Sequence, residues 1–592
     1  MAKIKLVLSP GHQLIFLLVI AFLLNINTLF NQYAVDDAIV LTNNTFVQKG
    51  IKGIPDILCN DYFKGLGGLK GNELSGGRYR PMALVVFAIE YQLFGAKPMI
   101  SHAINLLFFF LLIYLLFRFL RTYLMKEQHP YLAFFTCLLF IAHPIHTEVI
   151  ANVKSRDELI AFVFILFSAI AFIKHHEKKS LVHMSIGLLC FFLALLTKES
   201  SVVFIAVLPL FLYYFYHQPI RQSLSFSLPL LVVFALYMVI RYLVIGFHFT
   251  TSNLILNTPY LFATTSEAFA TKVYIILKYI LLLLFPHPLT SDYSYNQIPY
   301  IAIQSIWFVL SLFIIIVLLV ISIKGFRNKS LVSFCIFFFC FTLFLVLNLV
   351  VNIGAPMAER LLFQPSLAFC LVLAYFYLHA TKKFLWPANL ALTTLLVLYS
   401  IKTISRNAEW KNNDSLYLAD VVTSPNSLRT NMYAAETYLN QANAEQDGEV
   451  KNKLFSKSAY YGQQAVRIYP SDAFCYMNLG SAQFGLGEYA QAADCWLKAY
   501  QLDTTDQEAI KATAFISNYL LKQGNGWADK GNTTEAIKAY LKSTQLNPRN
   551  VDAWYNLGGS YYLAHDTIHA NSAWNRVKIL APDYHLNIKD FY

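Results

Sequence analysis

Residues 301–323 read IAIQSIWFVLSLFIIIVLLVISI, 23 positions without one Asp, Glu, Lys or Arg. A helix crosses the roughly 30 Å hydrocarbon core of a bilayer with about 20 apolar residues, so this stretch reads as a membrane span. Eleven further runs of the same kind lie around it, near 12–30, 100–120, 131–150, 157–174, 181–197, 200–216, 224–245, 271–287, 331–352, 361–379 and 386–404. After 404 they stop. Hydrophobic residues make up 57% of the 592 and charged residues 14%, and the mean hydropathy is +0.48, more apolar surface than one soluble core can hide. Residues 1–405 therefore read as an all-α polytopic bundle.

The net charge of +12 would suggest nucleic acid in a soluble protein. Here many Lys and Arg residues sit in short connections between apolar runs, where they set orientation, and no nucleic-acid partner is expected. Placing Lys3/Lys5, Arg118/Arg121/Lys126, Lys174/Lys178/Lys179, Arg221, Lys324/Arg327/Lys329 and Lys382/Lys383 inside leaves one conflict, because 271–287 would invert everything after it if it crossed. The expectation is eleven crossings, with 271–287 re-entrant or interfacial. An odd count puts the C-terminal region outside. The first run follows Lys3 and Lys5 and lacks a small-residue cleavage site, so it reads as a retained span. The eight cysteines show no disulfide framework and no metal-ligand spacing; Cys137, Cys190, Cys335, Cys340 and Cys370 fall in apolar stretches, and Cys475 and Cys495 read as packing residues.

The region after 426 repeats itself. Tyr476, Leu479 and Gly480 recur as Trp554, Leu557 and Gly558, and Ala536 and Tyr540 recur 34 residues later as Ala570 and Trp574. That period, with closing positions at Pro470, Thr504, Pro548 and Pro582, is the tetratricopeptide signature. It predicts about four repeats over 426–592, an α-solenoid, with an insertion around 441–452, an extra stretch near 506–514, and a linker at 406–425. Small residues such as Gly480 and Ala493 let paired helices approach while large aromatics fill the gaps. Such an array binds or spaces, and has no chemistry of its own.

Charged groups at the edge of a membrane are costly and should face a cavity or a partner. The first external loop, 31–99, opens with Tyr33-Ala34-Val35-Asp36-Asp37; adjacent carboxylates can supply a general base, or cap a helix. It continues to Arg78-Tyr79-Arg80-Pro81 before an interfacial apolar stretch from Met82 to Phe94. Arg80 suits bidentate phosphate binding or contact with anionic membrane lipids. His143-Pro144-Ile145-His146-Thr147-Glu148 offers three residues that could hold a divalent metal, though Pro144 interrupts a regular helical face; Lys154-Ser155-Arg156-Asp157-Glu158 follows. Thr197-Lys198-Glu199-Ser200 reads as an ion pair wedged between two apolar helices, or as a lysine poised for lipid phosphate. Ser291-Asp292-Tyr293-Ser294 and Ala358-Glu359-Arg360-Leu361 complete the set. The charge-derived topology puts all of these connections on one external face.

This constellation, with Arg406-Asn407 and Trp410 before the repeats, resembles the transmembrane and tetratricopeptide-repeat containing protein family of the glycosyltransferase C superfamily. The resemblance implies inverting transfer of a sugar, mannose in type, from a polyprenyl-phosphate donor to Ser or Thr hydroxyls of an acceptor protein. It maps the catalytic acid residue onto Asp36 or Asp37. Arg80, His143, His146, Arg156, Lys198, Glu199, Asp292 and Arg360 become the candidates for holding the lipid phosphate or donor, and the repeats the candidates for holding an acceptor or partner. The membrane is expected to be a bacterial inner membrane, or the endoplasmic reticulum in a eukaryote. The rivals are a flippase or polymerase of cell-envelope sugars, which would be expected to place charge at the bilayer midplane, and a scaffold working through its repeats, which has no need of the outer-face charges.

Overall fold

The computed structural model describes residues 9–66, 77–124, 129–246, 254–349 and 352–584. Lys3, Lys5 and Lys126, three of the residues used to orient the chain, lie outside the described residues. Among the described residues the protein is all-helical, its one extended pairing being the isolated bridge between Asn44 and Leu66. The chain divides into two compact units, Met1–Pro425 and Asn426–Tyr592.

Among the described residues of the first unit six helices are long and apolar enough to cross a membrane: Pro10–Phe30, Pro98–Leu124, Arg156–Lys178, Ile220–Ile245, Ile306–Arg327 and Leu385–Glu409. The most apolar 18 residues of the Ile306–Arg327 helix have mean hydropathy 3.2, and only 17% of that stretch is buried. Side chains such as Ile306, Phe313 and Ile323 point outward along it. A soluble protein does not expose apolar surface on this scale; this one is a multi-pass membrane protein. The run at 131–150 is broken at His143-Pro144 into segments bent by 58°, because proline has no N–H to continue the ladder and disfavours helical geometry in the residue before it. The run at 271–287 lies on the Thr265–Leu284 helix, which carries Glu267, Lys272 and Lys278 and opens with a Thr264–Glu267 capping box; it is not among the six.

The described residues of the 31–99 loop form a small structured cap. Short helices at Asp37–Val40, Thr45–Gln48 and Ile54–Leu58 and the longer Pro81–Phe94 helix enclose a core of Val40, Leu41, Val47, Ile57, Tyr62, Leu84, Phe87 and Ala88. Val153 from the connection before the Arg156–Lys178 helix is built into the same core, which fixes Lys154 beside the loop. The Pro81–Phe94 helix leaves Ile89, Leu93 and Phe94 exposed, an apolar stripe suited to an interface.

The segment expected as a linker, 406–425, is helical. Arg406 and Asn407 end the Leu385–Glu409 helix and Asn413–Thr423 forms another, within the first unit.

Among its described residues the second unit is four packed helix pairs: Leu428–Ala444 with Gly448–Ile468, Ala473–Gly485 with Tyr489–Leu502, Gln507–Asp529 with Thr533–Leu546, and Val551–Leu563 with Thr567–Leu580. The insertion at 441–452 lengthens both helices of the first pair, and the extra stretch at 506–514 adds turns to the first helix of the third. A Cβ on Gly480 would stand 2.7 Å from the Trp496 ring, one on Gly524 2.5 Å from Tyr540, and one on Gly558 2.3 Å from Trp574. Each glycine lets the aromatic of its partner helix lie flush against the backbone.

Candidate active site

Proline at position 81 starts its helix and keeps Arg80 out of helical geometry (φ −132°, ψ 56°). The strand of chain leading to it is pinned on all sides. Asp61 accepts from the Gly77 and Arg78 N–H groups at 3.2 and 2.9 Å, the Tyr237 hydroxyl donates to the Tyr79 carbonyl at 3.2 Å, and the Tyr79 hydroxyl donates to Leu58 at 2.9 Å. Arg80 is thereby aimed at two carboxylates. Its Nε and Nη2 donate to Glu199 at 2.7 and 2.6 Å, and its Nη1 to Asp157 at 3.0 Å.

Lys198 and Glu199 do not pair with each other as the sequence suggested. Lys198 ends the Leu181–Thr197 helix in extended backbone and Glu199 opens the next turn, so their side chains diverge. Glu199 meets Arg80, while Lys198 bonds Glu158 and lies 3.5 Å from Asp157. Asp157 and Glu158 occupy the first turn of the Arg156–Lys178 helix, where the helix dipole favours carboxylates, and Lys198 sits at a C-terminus, where it favours cations.

The acidic pair is split by the fold. Asp37 is fully buried; its Oδ2 accepts from the Ala34 N–H at 3.0 Å and its Oδ1 from the Lys154 N–H at 2.8 Å. Burial pushes its carboxyl up to about 7, against those two bonds. Asp36 keeps its side chain 39% exposed, with the Lys154 ammonium 3.8 Å away. It stands at the N-cap position of the Asp37–Val40 helix yet its side chain does not cap it. Lys154 thus contacts both acids, one through its backbone and one through its side chain; burial lowers its ammonium to about 8, against the pull of Asp157 and Asp36. Arg360 is paired with Glu148 and lies within electrostatic reach of Asp36 and Asp157. Arg78 feels Arg80, Glu199, Asp36 and Arg360.

Four of the candidate residues lie elsewhere. Arg156 is wholly buried and fully engaged: it pairs with Glu90, donates from Nε to Asn105 at 2.5 Å and from Nη2 to the Ser101 carbonyl at 2.9 Å, and covers the Phe87 ring. It ties the loop cap to two long helices and offers no free edge to a phosphate. His143 is bonded through Nε2 to the Leu283 carbonyl at 3.1 Å and through Nδ1 to the Ile145 N–H at 3.2 Å. His146 is bonded to the Phe140 carbonyl and the Ser366 hydroxyl, both at 2.7 Å. With both ring nitrogens of each histidine taken and Glu148 on Arg360, these residues do not fit a metal. Among the described residues no group of three His, Cys, Asp or Glu side chains is arranged to hold one. Asp292 accepts from the N–H and hydroxyl of Ser294 at 2.9 and 2.6 Å, shaping its own turn. That turn is held by Glu359, which accepts from Thr290 N–H at 2.5 Å and Tyr293 hydroxyl at 3.0 Å, and by Asp420, which accepts from Ser291. Burial raises the Glu359 carboxyl to about 8.

Lys154, Asp157 and Glu158 carry no assigned role in the sequence motifs, and Glu148, a candidate metal ligand there, serves instead as the counter-charge of Arg360. Their signal was the need of Arg80, Lys198 and Arg360 for counter-charges at a membrane edge.

A family model described as TPR repeat matches residues 524–564. The human protein O-mannosyl-transferase TMTC3 is 24% identical over 608 residues, covering 90% of this chain and 64% of that protein. The fruit-fly (Drosophila melanogaster) protein O-mannosyl-transferase Tmtc3 is 24% identical over 578 residues, covering 85% and 61%. Human protein O-mannosyl-transferase TMTC1 is 25% identical over 524 residues, covering 77% and 55%. The chain spans less than two thirds of the length of these relatives. Along 90% of its own length, membrane helices and repeats together, it resembles the transmembrane and tetratricopeptide-repeat protein O-mannosyl-transferases.

Proposed function

We propose that the protein is a membrane glycosyltransferase that moves a mannose-type sugar from a polyprenyl-phosphate donor to a Ser or Thr hydroxyl of an acceptor protein, with inversion. The observation that carries this reading is the half-exposed Asp36 carboxylate beside the Lys154 ammonium and within electrostatic reach of Arg360, with Arg80 and Lys198 gathered on the neighbouring Asp157, which Lys154 also feels. Asp36 takes the proton of the acceptor hydroxyl, whose oxygen forms the new bond to the anomeric carbon as the bond to the lipid phosphate breaks. Arg80, Lys154, Lys198 and Arg360 stabilise the charge that gathers on the departing phosphate. Asp37 holds the loop in place. The reaction face is extracytoplasmic, periplasmic in a bacterial host and luminal in a eukaryotic one. The repeats share that face and hold the acceptor.

The test is transfer from polyprenyl-phosphate mannose to Ser/Thr-containing acceptor protein by the purified full chain. Asp36→Asn, nearly isosteric, lowers the rate by about 10²–10⁴-fold, the contribution of a positioned general base, with membrane insertion intact. Unchanged transfer would remove Asp36 from the chemistry.

A further inference from the structure

Val35, directly before Asp36, has φ +51°. For a β-branched residue this left-handed conformation is strained, and it persists only where the surroundings over-determine it. The surroundings here are the segment that follows the last apolar helix. Asn31 donates from its amide to the Asn407 carbonyl at 3.1 Å, and the Gln32 N–H donates to the Lys411 carbonyl at 2.7 Å. Ala34 packs with Trp410, Ala151 and Leu416, with Val35 against them. The Val35 N–H itself donates to Asn413 Oδ1 at 2.7 Å. This strap is in turn anchored by Asp420, which takes Arg406 at 2.8 Å and Ser291.

We propose that Asn413 is a positioning residue for Asp36: its side-chain oxygen holds the Val35 peptide in the left-handed turn that sends Asp36 outward to Lys154 and Asp37 inward. The inference rests on the reading of Asp36 as the base, and Asn413 touches no reacting atom. Without its oxygen, Val35 relaxes toward negative φ and the Asp36 carboxylate leaves its station. Because Asn413 is exposed, its loss does not threaten the fold.

Two measurements on the full chain in detergent decide it. Amide hydrogen exchange across 32–37 speeds up about tenfold or more in Asn413→Ala, while Asn413→Asp, which keeps an accepting oxygen, stays protected. In the transfer assay Asn413→Ala lowers kcat about tenfold or more with KM for polyprenyl-phosphate mannose within about twofold, as misplacement of a reacting group does. Adding Val35→Gly to Asn413→Ala restores most of the lost kcat, because glycine holds positive φ unaided. Unchanged exchange in Asn413→Ala, a loss confined to KM, or a loss that Val35→Gly fails to relieve each overturns the proposal. If the wild-type chain transfers no sugar, the base reading falls, and the exchange comparison decides the positioning by itself.

Discussion

Asp37 rises to about 7 from an ordinary 3.8 through burial. The folded protein therefore binds a proton that the unfolded chain has already released over that interval. The stability this contributes is full below the ordinary carboxylate value and is lost as pH rises through about 7. Asp37→Asn cannot titrate, so the fall in melting temperature from about pH 4 to 8 should be shallower in this variant than in the wild type; equal slopes would detach the group from the pH response. The division between the two acids was not legible in the sequence. Asp36 and Asp37 are chemically alike, and what separates them is the handedness of Val35 and the Ala34 and Lys154 N–H groups, one of them 117 residues away. Arg156 misled for a related reason. A buried arginine and a phosphate-binding one look the same in sequence when the partner, here Glu90, lies 66 residues earlier.

At the level of elements the local signals were sound where their cause was local. The Gly480, Gly524 and Gly558 contacts follow the repeat period, and the aromatic of each partner helix occupies the space a side chain would fill. Gly480→Val forces Trp496 out of its seat, and overpacking of this kind costs about 1–3 kcal/mol. Chemical denaturation of the full chain, followed by tryptophan fluorescence, should show the repeats unfolding at lower denaturant; an unchanged midpoint would mean the neighbouring helix yields freely. The break at His143-Pro144 was also legible, since proline enforces it. The helical character of 406–425 was not, because that stretch lacks long apolar periodicity and takes its order from Trp410, Asp420 and their distant partners.

For the whole molecule, the apolar runs made the two-part architecture readable, since lipid demands long uninterrupted helices. The crossing count stayed a matter of charge balance around one amphipathic helix. Sidedness has a direct test. Cys59 is exposed in the first loop, and Gln446 lies in the exposed turn between the helices of the first repeat. In sealed vesicles of known orientation, an impermeant thiol reagent should label Cys59 and a Gln446→Cys variant from the same side, and labelling from opposite sides would separate the repeats from the proposed site. Arg80 is held by Glu199 and Asp157, Lys198 by Glu158, and Arg360 by Glu148. A phosphate entering there displaces carboxylates instead of filling bare positive charge. For the proposed reaction, the spent lipid carrier then departs by exchange: as its oxygens let go of Arg80, Glu199 returns to the vacated donors, and no naked cation is left behind to hold the product back.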